Sequence, residues 1–184
     1  MTIENIASAI GMLSAVLLLA MLVWSTVFPA KRLWPPQKLT AVNQVVVWGL
    51  TIGVFVGALV VGLIDWNSLN WSPIFRWGAG FPLIVAGNLI VWRGVFHIGT
   101  KATSGGVDEL RTGGLYRYSR NPQYLADIAI LAVWFILSAS SLTLPIVGMG
   151  IIVLLIAPLA EEPWLRKTYG QSYDDYCQKT RRYV

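Results

Sequence analysis

One cysteine, one histidine and very few charges set the first limits on this chain. Cys177 stands alone, so no internal disulfide and no cysteine-based metal cluster is open to it. His97 is equally alone, which rules out a histidine-rich metal site. Charged residues make up 12% of the 184 residues, against about 25% in an ordinary soluble domain. That shortage leaves too little polar surface to cover a globule in water. Internal repeats, low-complexity tracts and heptads are also missing.

The chain is rich in apolar and interfacial side chains. Hydrophobic residues reach 55%, mean hydropathy is +0.60, and there are nine Trp and seven Tyr, both of which favour membrane interfaces. The expected fold class is an all-α polytopic membrane protein forming one membrane domain over residues 1–184. A span needs about 20 mostly apolar residues. Five runs are candidates: Ile6–Phe28, Asn43–Ile64, Ile74–Phe96, the shorter Tyr124–Ala139, and Leu142–Ala160. The first lacks the basic leader of a signal peptide and reads as a span. Arg76 and Arg93 interrupt the third near its ends, where they are expected to snorkel outward. Only Ser140 and Ser141 separate the last two, which demands a tight helical hairpin.

Charge placement orients these spans. Lys31, Arg32 and Lys38 lie in one connection, and Lys101, Arg111, Arg117 and Arg120 in another. Arg166, Lys167, Lys179, Arg181 and Arg182 follow the fifth run. These are twelve of the 14 basic residues, and all fall on one side of a five-span arrangement. The positive-inside rule puts the N-terminus outside and that side in the cytoplasm. The net charge of +5 is therefore read as an attraction to anionic lipid, with no nucleic-acid partner. Trp34, Trp66, Trp71, Trp92 and Trp164 fall near span ends and read as interfacial anchors.

Residues 97–124 and 161–184 do not look like plain connectors, because they hold most of the charge and most of the Tyr. Asn121 and Pro122 read as an N-cap and first turn. That turn leaves the cluster of Tyr116, Arg117, Tyr118, Arg120 and Tyr124 to be explained, either as a lipid-headgroup surface or as a ligand site. Asp127 stands inside the start of the fourth span, as an end-of-helix acid reaching the interface or as a functional group. Glu161 and Glu162 end an apolar helix, where the helix dipole opposes carboxylates. They need Arg120, Arg117 or a cationic ligand. Beyond Pro163, Leu165, Tyr169, Tyr173 and Tyr176 recur at helical spacing broken by Gly170, which predicts two short amphipathic helices. His97, at the end of the third span, reads as a packed or interfacial side chain, with a catalyst as the alternative.

Residues 113–124, GGLYRYSRNPQY, and residues 161–165, EEPWL, followed by residues 169–176, YGQSYDDY, resemble the paired motifs of the isoprenylcysteine carboxyl methyltransferases and their phospholipid-methyltransferase relatives. The likeness covers about residues 95–182. It implies an integral-membrane methyltransferase using S-adenosylmethionine on a lipophilic small-molecule or lipid substrate drawn from the membrane. It also divides the domain into three N-terminal spans, 1–96, and a cofactor-binding half, 97–184. Carried over position by position, the cofactor contacts are Asp108, Glu109, Leu110, Arg111, Tyr116, Asn121, Pro122, Gln123, Tyr124 and Glu161, with Lys101 beside a further contact position. Glu161 and Glu162 take electrostatic or acid–base roles, and Arg120 orients the acceptor or braces the glutamates. Two departures stand out: Asn121 replaces a frequent His, and Ala157 replaces the Arg that carboxyl methyltransferases carry one turn before the glutamates. An isoprenylcysteine carboxylate, a phospholipid amine or another lipid-borne nucleophile therefore stays open as acceptor. An NADPH-dependent sterol-reductase-like enzyme and a non-enzymatic lipid-binding protein are the rival readings.

Overall fold

A computed structural model describes residues 2–98 and 109–183, with side chains described outside 90–98. Among the described residues the secondary structure is entirely helical. Six α-helices run in order: α1 Ile3–Val27, α2 Ala41–Ile64, α3 Pro73–Ile98, α4 Pro122–Ser138, α5 Thr143–Tyr169 and α6 Gln171–Lys179. Short 3-10 turns lie at Pro29–Lys31 and Gly114–Arg117. Helix starts follow side chains that satisfy otherwise orphaned amides. Thr2 accepts from the Asn5 amide, Thr40 from the Asn43 amide and Ser72 from the Phe75 amide.

Among the described residues three helices, α1, α2 and α5, are long and apolar enough to cross a membrane, while α4 is apolar but has 17 residues. The starts and ends of α1 to α4 agree with the apolar runs to within a few residues. The last run does not. Two short helices were expected after it, but α5 continues through Pro158 and Pro163 as one 27-residue rod. It stops at Gly170, whose φ of 55° lies in the left-handed region that suits glycine. Only the second short helix, α6, is separate.

The bundle is assembled by close contact between small residues. Gly57 faces Gly11 across α1 and α2, where a Cβ on Gly57 would sit 2.6 Å from the Gly11 Cα. Gly53 faces Ser14 in the same seam. Such positions let backbones approach and gain dispersion contacts where the surrounding lipid offers no hydrophobic drive. α5 is the central helix, with half of its apolar window buried. It packs on α1, α2 and α4 around Ala15, Val54, Leu131, Ile146 and Val147. α3 behaves differently: among the described residues its substantial packing is on α4 alone, with Gly80 against Leu137 and Gly87 against Ile130.

The short link between α4 and α5 forms the expected tight hairpin. Asp65, just past α2, ties it down by accepting from the Ser140 hydroxyl (2.6 Å), the Ser68 hydroxyl (2.8 Å) and the Leu142 amide (3.2 Å). The Ser140 bond, with help from Ser68 and Leu142, holds this carboxyl below its ordinary titration range. Arg76 does not snorkel. It is buried, stacks 4.5 Å from the Trp66 ring, and its Nε and Nη2 both donate to the Leu137 carbonyl (2.8 and 2.6 Å). The last turn of α4 has a carbonyl without a helical partner, and a guanidinium is a better use of it than open interface. Arg93 lies where side chains are not described.

Candidate functional site

At the opposite end of the bundle, the α1–α2 connection, the segment before α4 and the end of α5 converge. The convergence begins with a serine. Ser25, in the last turns of α1, donates to the Met21 carbonyl and accepts from the amides of Leu33 and Trp34 (3.0 and 2.9 Å). This folds the connection back and drives Trp34 into the protein, where it is 8% exposed. Its Nε1–H donates to Glu161 Oε1 at 2.6 Å. The Tyr124 hydroxyl donates to the same oxygen. Trp34 is thus a buried hydrogen-bond donor, where an interfacial anchor was expected. Trp66, which is exposed, meets the Arg76 guanidinium, and Trp71 contacts Phe75 and Phe135. The meeting of Tyr124 and Glu161 is the one the short hairpin required.

Glu162 points elsewhere and does different work. Its side chain is 6% exposed and receives Arg182 through Nε (2.7 Å) and Nη2 (2.8 Å), with Arg120 Nη2 at 3.2 Å. The charge-assisted bonds to Glu162 hold the Arg182 guanidinium above its usual value. Arg120 serves Glu162 as expected, but Arg117 does not: it lies over the Tyr118 ring. The unforeseen partner is Arg182. Its segment also straps the α4 approach, because the Arg120 amide donates to the Arg181 carbonyl (2.9 Å). Asn121 Nδ2 and the Ser119 hydroxyl donate to the Arg182 carbonyl (2.9 and 3.2 Å). Asn121 occupies the N-cap position without capping through its side chain, which is spent on this strap.

Between these groups lies a polar cavity of about 170 Å³. Of the residues expected at a site, Glu109, Leu110, Arg111, Tyr116, Arg120, Asn121, Gln123, Tyr124 and Glu161 line it. Pro122 and Glu162 do not; Pro122 opens α4, and Glu162 is held in its ion-pair cluster. Lys101, Asp108 and the His97 side chain lie outside the described residues. Trp34 and Trp164 were read as interfacial anchors and Tyr169, Tyr173 and Tyr176 as the stripe of two amphipathic helices, and all five line this cavity. Tyr176 donates to the Tyr116 carbonyl at 2.7 Å and fixes the turn before α4. Burial, then the Glu161 charge, pushes the Tyr116 phenol upward, and burial raises Tyr173 and takes Tyr176 to about 12. These phenols stay protonated near neutral pH. Arg120 Nε is buried with no hydrogen-bond partner among the described residues, although Nη1 reaches Cys177 Sγ.

A second cavity, of about 460 Å³, opens inside the bundle. Its walls are mostly apolar residues of α1, α2, α4 and α5, with Asn88 from α3. Ala157 lines it, where carboxyl methyltransferases carry an Arg, and so does Asp127, which faces this interior space. Trp34, Gln123 and Tyr124 line both cavities. One polar chamber and one apolar chamber therefore share a wall made of the same three side chains.

Comparison with curated proteins found no match, and neither did comparison with solved structures. A family model described as phospholipid methyltransferase does match, over residues 75–172, from the start of α3 into α6. That stretch is more than half of the chain and holds the first motif, Tyr124 and the two glutamates, so the protein belongs to the phospholipid methyltransferase family.

Proposed function

We propose that this protein is an S-adenosylmethionine-dependent methyltransferase for a lipophilic or lipid-anchored acceptor, with five membrane spans and its polar cavity on the cytoplasmic side. The shared wall of Trp34, Gln123 and Tyr124 carries this reading, since it puts a polar chamber beside an apolar one across a single layer of side chains. A transfer between a charged donor and a greasy acceptor needs that adjacency, because positioning supplies most of the rate in a simple displacement.

The donor set suits the cofactor. Bound S-adenosylmethionine supplies an electrophilic methyl group on a sulfonium centre, together with an amino-acid carboxylate and an adenine ring. Glu161 is a carboxylate held by Trp34 and Tyr124, and it offers charge to a cation in a site lined by aromatic rings. The buried, unmatched Arg120 Nε–H is a donor suited to a ligand carboxylate. Glu109, Leu110, Arg111, Tyr116 and Asn121 add the remaining walls. Glu162 acts through Arg120, holding the guanidinium in place as a positioning residue. The 460 Å³ chamber lies within the size range of sites for small lipophilic molecules.

Twelve basic residues on one side of the five spans support the orientation. Isothermal titration with S-adenosylhomocysteine tests the donor site, and a radiolabelled methyl-transfer assay against membrane lipid extract and a prenylcysteine analogue tests the acceptor. Binding that is lost in Tyr124→Ala and Glu161→Ala is expected. No binding by folded protein, or variants equal to wild type, overturns the proposal.

A further inference from the structure

The polar cavity borders a cluster whose charges do not cancel. Two guanidiniums, Arg120 and Arg182, share one carboxylate, that of Glu162. They use it differently. Arg182 meets it fork to fork, with Nε on Oε1 at 2.7 Å and Nη2 on Oε2 at 2.8 Å. Arg120 approaches the shared Oε1 with Nη2 at 3.2 Å. The bidentate fork is the stronger grip and fixes the plane of the carboxylate. Arg166, one turn further along α5, is matched by Asp174 at 3.2 Å. Two cations on one anion leave a positive charge over. It falls to Arg120, which lines the cavity, where Arg182 does not.

The C-terminal tail delivers Arg182 to this place. It leaves α6 in extended conformation at Thr180 and lies beside the approach to α4. The Arg181 carbonyl accepts from the Arg120 amide, and the Arg182 carbonyl accepts from Asn121 Nδ2 and the Ser119 hydroxyl. The Tyr183 hydroxyl donates to the Leu155 carbonyl on α5. Three consecutive residues are thus tied down, with Arg182 in the middle. All three lie beyond residue 172, where the family match ends.

We infer that Arg182 is a positioning residue of the donor site. It takes up the charge of Glu162, so that the Arg120 guanidinium stays available to the carboxylate at the cofactor's amino-acid end. This rests on the methyltransferase reading, which supplies the ligand. Without Arg182, Glu162 and Arg120 form a neutral pair whose side chains are 6% and 11% exposed. A neutral pair has little to offer an anion, even where water screens weakly. Freed from the fork, Glu162 can turn both oxygens on Arg120 and draw the guanidinium back from the cavity. Glu161 supplies the opposite sign in the same space. The cavity then holds a carboxylate for the cationic part of the ligand and a guanidinium for its anionic part. Glu109 and Arg111 also line it and offset each other in sign.

The test is isothermal titration of the full chain in nanodiscs with two ligands. S-adenosylhomocysteine carries the amino-acid carboxylate; methylthioadenosine has the same nucleoside and thioether without it. Wild type should prefer S-adenosylhomocysteine. In Arg182→Ala the ratio of the two affinities should fall about tenfold or more, the value of a charge-assisted hydrogen bond. Arg182→Lys keeps the charge and should keep most of the preference. The double variant Glu162→Gln/Arg182→Ala removes both charges, leaves Arg120 as a lone cation, and should regain preference over Arg182→Ala. A tail that merely holds the fold together would weaken both ligands alike, and the double variant would do no better than the single. Either result overturns the inference, as does an Arg182→Ala protein with the wild-type ratio. A wild type that binds methylthioadenosine as tightly as S-adenosylhomocysteine overturns it too, while leaving the nucleoside site standing. A wild type that binds neither refutes the methyltransferase reading and the inference with it.

Discussion

Changing Glu162 to Gln removes the charge that two guanidiniums share, and the structure sets the size of the loss. The carboxylate is 6% exposed, Arg120 is 11% exposed and Arg182 is 36% exposed. Breaking a buried pair by deleting one partner costs about 3–5 kcal/mol, because the remaining charge is stranded away from water. Gln keeps one carbonyl oxygen as an acceptor, so Glu162→Gln should fall near the low end, about 3 kcal/mol. Arg182→Ala should cost about 1 kcal/mol, since water screens that cation and Arg120 still neutralises the carboxylate. Arg120→Ala should lie between them. In the Arg120→Ala/Arg182→Ala double variant Glu162 loses both cations, and the cost should exceed the sum of the single changes by about 1 kcal/mol or more. Reversible unfolding of the purified protein in mixed micelles, titrated with a denaturing detergent, measures all four. Additive costs, or Glu162→Gln less damaging than Arg182→Ala, would refute the shared-carboxylate account.

Trp34→Phe keeps the ring but deletes the Nε1–H bond to Glu161, and S-adenosylhomocysteine affinity should fall about tenfold by titration calorimetry. Asp65 should make stability pH-dependent at the hairpin end. Its carboxyl is held below its ordinary value, so its contribution is fully present above about pH 4 and is lost as pH falls through the depressed value. Asp65→Asn should flatten that acid limb of a denaturation-against-pH curve. Gly57→Ala should cost about 1–3 kcal/mol, because the new methyl meets the Gly11 backbone at 2.6 Å. Gly49→Ala has nothing within 4 Å and should be neutral or gain up to about 1 kcal/mol from helix propensity, read in the same unfolding assay.

Local chemistry was legible in the sequence where one physical rule dominated. Long apolar runs marked α1 to α4, and the two-serine link between spans forced Tyr124 and Glu161 together. Long-range partners were not legible. Trp34 at a span end has the same local signature whether it anchors in lipid or donates to Glu161, and Ser25, nine residues earlier, decides between them. Arg76 looked like a snorkelling residue until Leu137, 61 positions away, supplied a carbonyl. Arg182 was one of several tail cations, and only the fold selects it for Glu162. Pro163 suggested a break after the fifth run, yet the helix continues through it with Ala157, Ala160 and Glu162 buried.

The wall common to the two chambers makes their contents thermodynamically interdependent. Tyr124 lines both chambers, and its hydroxyl is tied to Glu161. A molecule that shifts the ring from the apolar side changes what the polar side offers, and the reverse must hold by the same factor. Occupancy of either chamber is therefore a report on the other, and two affinities measured one at a time will not multiply to the affinity of the pair.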